Sequence, residues 1–154
     1  MITIRKADRN DVPDIITLFE NTVRSVNQKD YSAKQIDVWA NAKNKDIWSE
    51  NVKIQYFYLA EIDDQIVGFS SIDDTGYLDF MYVHKDFQRR GIAKALLEQI
   101  EQKASELRLL KIHSSVSITA QPFFKSRGFK TYDDEHKVLK DVAFINALME
   151  KVLQ

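Results

Sequence analysis

The chain contains no cysteine, and this absence excludes disulfide bonds, thiolate metal ligands and a cysteine nucleophile. Its three histidines, His84, His113 and His136, are far apart in sequence and make a poor set of metal ligands. We therefore expect chemistry that needs no metal ion.

Long apolar runs are also missing. No segment approaches the roughly 20 apolar residues that span a bilayer, and the N-terminal residues 1–8 carry charges where a signal peptide needs an apolar stretch. With only four glycines and two prolines, the 154 residues have the composition of an ordinary globular protein. The sequence predicts one domain over residues 1–154 and a cytoplasmic location.

Charge of one sign is not in excess either, since 22 basic and 23 acidic residues give a net charge of −1. No global field therefore favours binding to nucleic acid or to an anionic membrane. If the protein binds an anion, a local group of residues must hold it.

The pattern of apolar residues predicts alternating strands and helices. A strand at Ile2–Ile4 is followed by a helix from Asn10, and residues 31–52 read as one broken helix or two short ones after a Ser32 cap. Residues 54–60 and 66–72 have the composition of a β-hairpin.

The second half predicts a βαβ unit: a strand at Tyr77–Val83, a helix from Ile92 to Leu107 and a parallel strand at Leu109–His113. A short helix then ends at Gly128, and two strands follow near 129–132 and 142–153. We expect a mixed sheet, with a nucleotide-like ligand at the carboxyl end of the first βαβ strand.

The loop that enters the long helix ends in Gln88-Arg89-Arg90-Gly91-Ile92-Ala93. A helix start carries unpaired N–H groups and a partial positive charge, and two arginines beside a glycine suit a diphosphate. The alternative is an ordinary surface helix with solvated arginines. The spacing matches neither a Walker loop nor a dinucleotide fingerprint.

These six residues match the signature Gln/Arg-x-x-Gly-x-Gly/Ala, and the chain resembles the GNAT family of acetyl-CoA-dependent N-acetyltransferases. Further matches are Ile4 to Asp11 with the opening strand and helix, Ala60 to Phe69 with the central hairpin, and Phe123 to Phe129 with the closing (Phe/Leu)-Tyr-x-x-x-Gly-Phe motif. Residues 31–40 and 120–124 more narrowly resemble the bacterial YafP-like branch.

The resemblance implies an α+β, three-layer fold: a mixed, mostly antiparallel sheet of about six or seven strands, flanked by about four helices, with an acetyl-CoA-binding βαβ unit. It also implies how the donor is held. Main-chain groups of Met81, Tyr82 and Val83 would pair with the pantetheine arm, and those of Gln88 to Lys94 would hold the pyrophosphate. The full set of predicted acetyl-CoA contacts is Met81, Tyr82, Val83, Gln88, Arg89, Arg90, Gly91, Ile92, Ala93, Lys94, Ser117, Phe123 and Phe124.

Direct acetyl transfer needs a group that takes a proton from the amine and a donor for the leaving thiolate. Asp79 lies on the strand that leads into the expected site and is our candidate base, and Tyr77 on the same face is a candidate proton donor or relay. The alternatives are a solvent-facing aspartate and a core or surface tyrosine, because strand alternation does not show which face meets the site.

Phe124 departs from the family pattern, because many members carry there a tyrosine that is proposed to protonate the CoA sulfur. Either another group supplies that proton, or CoA leaves as a thiolate. The second course is feasible near neutral pH because the thiol pKa is about 8.5. Ser117 stands where an asparagine is frequent and can still hydrogen-bond the pantetheine arm.

Three aromatic residues, Tyr31, Trp39 and Trp48, fall in the segment that shapes the acceptor pocket in this family. They can form an aromatic wall for an amine, or they can belong to the core.

The sequence thus favours an acetyltransferase acting on a small-molecule or protein amine, as a monomer or homodimer, without nucleic-acid or membrane partners. A catalytically silent acyl-CoA-binding domain is the alternative that Phe124 raises. A nucleotide-binding or purely structural domain is disfavoured by the neutral charge and the loop pattern.

Overall fold

The computed structural model describes residues 1–154. The first half runs β1 (Thr3–Lys6), α1 (Val12–Ser25), α2 (Ala33–Ala40), α3 (Lys45–Ile54), β2 (Tyr56–Ile62), β3 (Gln65–Ile72) and β4 (Leu78–Val83). The second half runs α4 (Ile92–Glu106), β5 (Lys111–Val116), α5 (Gln121–Ser126), β6 (Lys130–Leu139) and β7 (Val142–Val152). None of these helices is long and apolar enough to cross a membrane.

The strands form two antiparallel sheets that meet at one point. The first sheet has the order β1-β2-β3-β4 and the second β5-β7-β6. A parallel bridge between Tyr77 and His113 joins them, and there the N–H of His113 donates to the carbonyl oxygen of Gly76 over 3.0 Å. The hydroxyl of Ser114 also donates to the Leu78 carbonyl oxygen, at 2.6 Å. Beyond this point β4 and β5 separate and leave a cleft between the sheets.

Helices cover both faces of the strands, which confirms the predicted α+β fold. Helices α1, α2 and α3 pack on one face of the first sheet, and α4 packs on the other. A side chain at Gly68 of β3 would meet Ile92 of α4 and the Tyr82 carbonyl oxygen at 3.0 Å, so glycine permits this close packing. A second core lies between α4, α5 and the second sheet.

Local sequence signals explain most helix starts. Asp8 and Asp11 form a capping box on the short 3-10 turn that leads into α1, Ser32 and Gln35 form another at the start of α2, and the Asn44 side chain caps α3. Residues 31–52 therefore form two short helices, which was one of the two predicted options.

Three predicted strand boundaries are wrong, and one of them is that of β5, which runs over Lys111–Val116 rather than over residues 109–113. Ile54 ends helix α3 rather than beginning a strand, and its side chain is exposed. Strand β6 continues to Leu139, well beyond the predicted residues 129–132. Nearly all β6 side chains are exposed, so the strand lacks the apolar alternation that reveals a half-buried strand.

Candidate active site

The cleft between β4 and β5 opens into a cavity of about 360 Å³. Its walls come from β4, from β5 and the start of α5, and from the segment around α2. Among the predicted site residues, the structure places the following on these walls: Tyr31, Trp39, Tyr77, Asp79, Met81, Tyr82, Val83, Gln88, Ala93, Ser117, Phe123 and Phe124.

The loop from Gln88 to Lys94 has the properties of an anion-binding site. None of its main-chain N–H groups donates a hydrogen bond within the protein. Arg89 and Gly91 both adopt left-handed backbone angles, with φ of 61° and 79°, and Gly91 is the N-terminal cap of the 15-residue α4. Successive free N–H groups at the positive end of a long helix dipole suit a diphosphate.

The side chains of this loop support the same interpretation. Arg89, Arg90 and Lys94 are exposed and make no ion pair. The amide of Gln88 instead donates to the Val83 carbonyl oxygen at 2.7 Å and ties the loop to the end of β4. A carbon atom added at Gly91 would meet no atom within 4 Å, so the approach to this loop is open.

Strand β4 presents free main-chain groups to the cleft. The N–H of His84 donates to Val67 of β3 at 2.8 Å, and Tyr82 is the register partner of Phe69. Because hydrogen-bonding groups alternate along a strand, Met81 and Val83 direct theirs away from β3 and toward the cleft. The Val83 carbonyl oxygen already accepts from Gln88 and Thr22, so the groups left for a ligand are those of Met81 and the N–H of Val83. An extended chain such as pantetheine can pair with them as an added strand.

Asp79 occupies a β-bulge. Ser71 pairs with Phe80 and Ile72 with Leu78, so Asp79 is an extra residue in β4. The bulge puts Leu78 in the core on the α4 side and Phe80 in the core on the α1 side, with the half-buried Asp79 on the cavity wall. Bulges often re-aim a side chain next to an active site.

Tyr77 lies at the closed end of the cleft, where the sheets still touch. Its ring is 5.3 Å from that of His113. Burial, and then the negative charge of Asp79, raise the pKa of the Tyr77 hydroxyl to about 12. Tyr77 therefore keeps its proton at neutral pH and can pass it to or from a neighbouring group.

Aromatic rings close the other side of the cavity. The Tyr31 ring lies 5.0 Å from that of Trp39 and 6.2 Å from that of Phe144, which is on β7. The amide of Gln35 on α2 also donates to the Ala143 carbonyl oxygen at 3.0 Å. These contacts join the α2 region to the second sheet across the cleft.

Trp48 does not belong to this wall. Its side chain is 1% exposed and packs against Phe19, Phe69 and Phe80 in the core. We therefore correct its predicted role as an acceptor contact. Both tryptophans lie on short helices, and apolar spacing over so few residues does not separate the core face from the cavity face.

Phe124 is 2% exposed, and its ring packs edge-on against Phe123 and Phe129. It reaches the cavity wall with no proton to donate. Ser117 lines the cavity just beyond the end of β5.

Several residues near the site carried no recognisable sequence signal. Gln55 donates a hydrogen bond to Asp79 from the end of α3, and Phe144 belongs to the aromatic wall. Glu135 on β6 accepts the Ser115 hydroxyl at 2.6 Å beside the cavity. Each comes from an element distant in sequence, and only the fold brings it to the site.

Comparison with known proteins identifies the family and the fold. The sequence profile of the acetyltransferase (GNAT) domain matches residues 27–152. YafP of Escherichia coli K12, described as an uncharacterized N-acetyltransferase, is 32% identical over 148 residues, covering 96% of this chain and 94% of YafP.

Solved structures share the whole fold. A GCN5-related N-acetyltransferase from Rhodopseudomonas palustris has a TM-score of 0.95 at 24% identity and covers 98% of this chain and 95% of its own. The PaiA N-acetyltransferase from Thermoplasma acidophilum, solved in complex with coenzyme A, has a TM-score of 0.85 at 21% identity and covers 99% of both chains.

The chain is an acetyltransferase and belongs to the GNAT family. Within that family its similarity to YafP is consistent with the YafP-like branch, as the sequence predicted.

Proposed function

We propose that this protein transfers the acetyl group of acetyl-CoA directly to a primary amine of a small molecule or a protein. The observation that carries the proposal is the row of free N–H groups from Gln88 to Lys94, next to the free edge of β4. Together they offer a diphosphate site followed by a strand edge that runs from Val83 back to Asp79.

This strand edge and the loop before α4 would position the acetyl-CoA donor. Main-chain groups of Met81 and Val83 would hold the pantetheine arm, and Ser117 faces them from the other side of the cleft. The loop at Gly91 would hold the pyrophosphate, with Arg89 and Arg90 adding charge. Fixing the donor in this way lowers the entropic cost of the transfer.

Asp79 is the proposed base. Its Oδ2 accepts the Gln55 amide at 2.8 Å, and no protein group donates to its Oδ1. That second oxygen is free to take a proton from the amine, directly or through water. Tyr77, whose hydroxyl stays protonated, would relay protons at the same end of the cavity.

Tyr31 and Trp39 would contact the acceptor. Their rings line the cavity, and an aromatic wall beside the carboxylate of Asp79 suits an amine that binds as a cation before it loses its proton. A single domain over residues 1–154, a cytoplasmic location and a monomeric or dimeric state stay predictions from the sequence.

The test measures release of the CoA thiol from acetyl-CoA with a panel of primary amines, including lysine-containing peptides. Calorimetric titrations with acetyl-CoA and with ATP accompany it. Amine-dependent thiol release supports the proposal. Heat from acetyl-CoA without thiol release from any amine supports the catalytically silent domain instead, and heat from ATP alone overturns acetyl-CoA binding.

A further inference from the structure

The cavity contains many hydroxyl groups, although Phe124 supplies none. Hydroxyl-bearing residues on its walls are Thr22, Tyr31, Tyr77, Tyr82, Ser114, Ser115, Ser117 and Thr119. If a hydroxyl group of the protein protonates the sulfur of CoA, one of these groups is the donor. The hydrogen bonds that each hydroxyl makes within the protein decide which of them can donate a proton.

Half of these hydroxyls already use their protons within the protein. Thr22 and Ser114 donate to main-chain carbonyl oxygens, at 3.2 and 2.6 Å. Ser115 and Thr119 donate to the carboxylates of Glu135 and Asp30, at 2.6 and 2.7 Å. None of these four is free to protonate a ligand without breaking a bond.

Three of the other four hydroxyls are poorly placed to reach the sulfur or are too weakly acidic to protonate it. Tyr77 lies at the closed end of the cleft beside Asp79. The Tyr82 ring packs against Phe19 and Phe69 on the α1 face of the sheet. Ser117 carries an aliphatic alcohol, which is a much weaker acid than a phenol.

Tyr31 is the remaining hydroxyl, and the structure fixes its position. Its oxygen accepts the N–H of Ile118 at 2.9 Å, and the Ser117 hydroxyl lies beside it. Its own proton has no acceptor within the protein. The neighbouring bond from Thr119 to Asp30 holds the same two segments together. Tyr31 thus reaches across the cleft to the β5 wall.

That position lies beside the part of β4 along which the pantetheine arm is proposed to run. Counted from the bridge between Tyr77 and His113, Met81 on the β4 side and Ser117 on the β5 side lie equally far along the chain. Both residues line the cavity, one on each side, where the two strands have begun to separate. The thioester at the end of a pantetheine arm that pairs with Met81 would lie beside Ser117, which is next to the Tyr31 hydroxyl.

We infer that the Tyr31 hydroxyl replaces the hydroxyl missing at Phe124 and protonates the CoA sulfur; the inference rests on the proposed function. The amine nitrogen forms the C–N bond, and the C–S bond breaks with its electron pair on sulfur. Sulfur takes the Tyr31 proton, and the phenolate regains a proton from water through Ser117, which is partly exposed. The proton of the amine leaves through Asp79. Burial raises the pKa of Tyr31, so the hydroxyl is protonated before each transfer.

A binding experiment tests the contact without an acceptor. CoA itself is the probe, and the ultraviolet absorbance of its thiolate is followed with pH in the bound state. A hydrogen bond from Tyr31 stabilises the thiolate, so we expect the bound thiol pKa to be about one unit lower in the wild type than in Tyr31→Phe. Adding Phe124→Tyr to Tyr31→Phe should lower that pKa again. Equal thiol pKa values in the wild type and Tyr31→Phe overturn the inference.

A kinetic experiment tests the proton transfer with the most active amine of the panel. We expect Tyr31→Phe to lower kcat about 100-fold while the Kd for CoA stays within about twofold of the wild type. Adding Phe124→Tyr to Tyr31→Phe should raise kcat at least tenfold. Adding it to Tyr77→Phe should leave kcat unchanged.

The outcomes separate the inference from the proposed function. Unchanged kcat in Tyr31→Phe overturns the inference, as does a loss of kcat that comes with weaker CoA binding and is not restored by Phe124→Tyr. Absence of saturable CoA binding to the wild type overturns the proposed function and the inference with it. CoA binding with the same thiol pKa in every variant overturns the inference alone.

Discussion

The side chain of Gln55 fixes the carboxylate of Asp79 at the head of the cleft. Its Nε2 donates to Asp79 Oδ2 at 2.8 Å, while its Oε1 accepts the Ser71 hydroxyl at 2.6 Å. A carboxylate only accepts hydrogen bonds, so Asp79 sets which end of the Gln55 amide is the donor, and the Ser71 hydroxyl donates to the other end. One carboxylate oxygen is held, and the other accepts no hydrogen bond from the protein.

Asp79→Asn should therefore abolish most of the chemistry without affecting donor binding. Asparagine keeps the shape but cannot act as a base, and we expect kcat to fall about 100-fold with the Kd for acetyl-CoA unchanged. Asp74→Asn is the matched control, because Asp74 likewise accepts one side-chain hydrogen bond, from the Tyr56 hydroxyl, but lies exposed on the turn before β4. Equal rates for Asp79→Asn and the wild type would remove Asp79 from the mechanism.

Gly91→Glu should weaken acetyl-CoA binding by placing an anion at the diphosphate site. Any side chain at this position also strains the left-handed backbone, so Gly91→Gln is the control that shares the strain but not the charge. We expect the Kd of Gly91→Glu to exceed that of Gly91→Gln by about tenfold, or about 1.4 kcal/mol, at low salt. Calorimetry at two salt concentrations checks this, and equal Kd values for the two variants would contradict the proposed position of the pyrophosphate.

The ion pair between Arg5 and Asp11 should make stability depend on pH. Hydrogen bonds from the Arg5 guanidinium, at 2.8 and 2.9 Å, hold the pKa of Asp11 below its ordinary value. A lowered folded pKa gives stability that is complete above the unfolded value of about 3.9 and is lost as pH falls through the folded value.

Urea unfolding of Asp11→Asn measures this contribution. We expect a loss of about 1–3 kcal/mol at pH 7, with the difference from the wild type shrinking below about pH 4. Asp37→Asn is the control, because the pair of Asp37 with Arg24 is exposed and should contribute little. A difference for Asp11→Asn that does not change with pH would contradict the ionic origin.

The two tryptophans should separate stability from acceptor binding. Trp48→Leu removes a core ring that is 1% exposed and should cost about 3 kcal/mol of unfolding free energy, with the acceptor KM little changed. Trp39→Leu should cost less stability and raise the acceptor KM several-fold. Thermal unfolding and steady-state kinetics of both variants check this; a raised KM in Trp48→Leu alone would reverse the two roles.

The sequence was sufficient to predict the parts of the site that depend on short stretches of chain. The residues from Gln88 to Ala93 combine a helix start, a glycine and two arginines within one loop, and the structure has unpaired N–H groups there. The predicted helix from Ile92 and the strand before it are also confirmed.

What escaped prediction depends on contacts between distant segments. The bulge at Asp79 is a property of how β4 pairs with β3, and strand alternation alone does not reveal it. The hydrogen bond between Tyr31 and Ile118 joins residues 87 positions apart, and no local sequence pattern predicts it. Trp39 and Trp48 are alike in sequence context and differ only in what packs around them.

The free N–H groups of the loop before α4 have a consequence for turnover. They would contact only the diphosphate, which is the same in acetyl-CoA, in other acyl thioesters and in the released thiol. Discrimination between acyl groups must therefore come from the cavity near Met81 and Tyr31. Since the product would keep every contact that the loop makes with the substrate, free CoA is an intrinsic competitor of acetyl-CoA, and departure of CoA becomes a natural limit on the rate of the cycle.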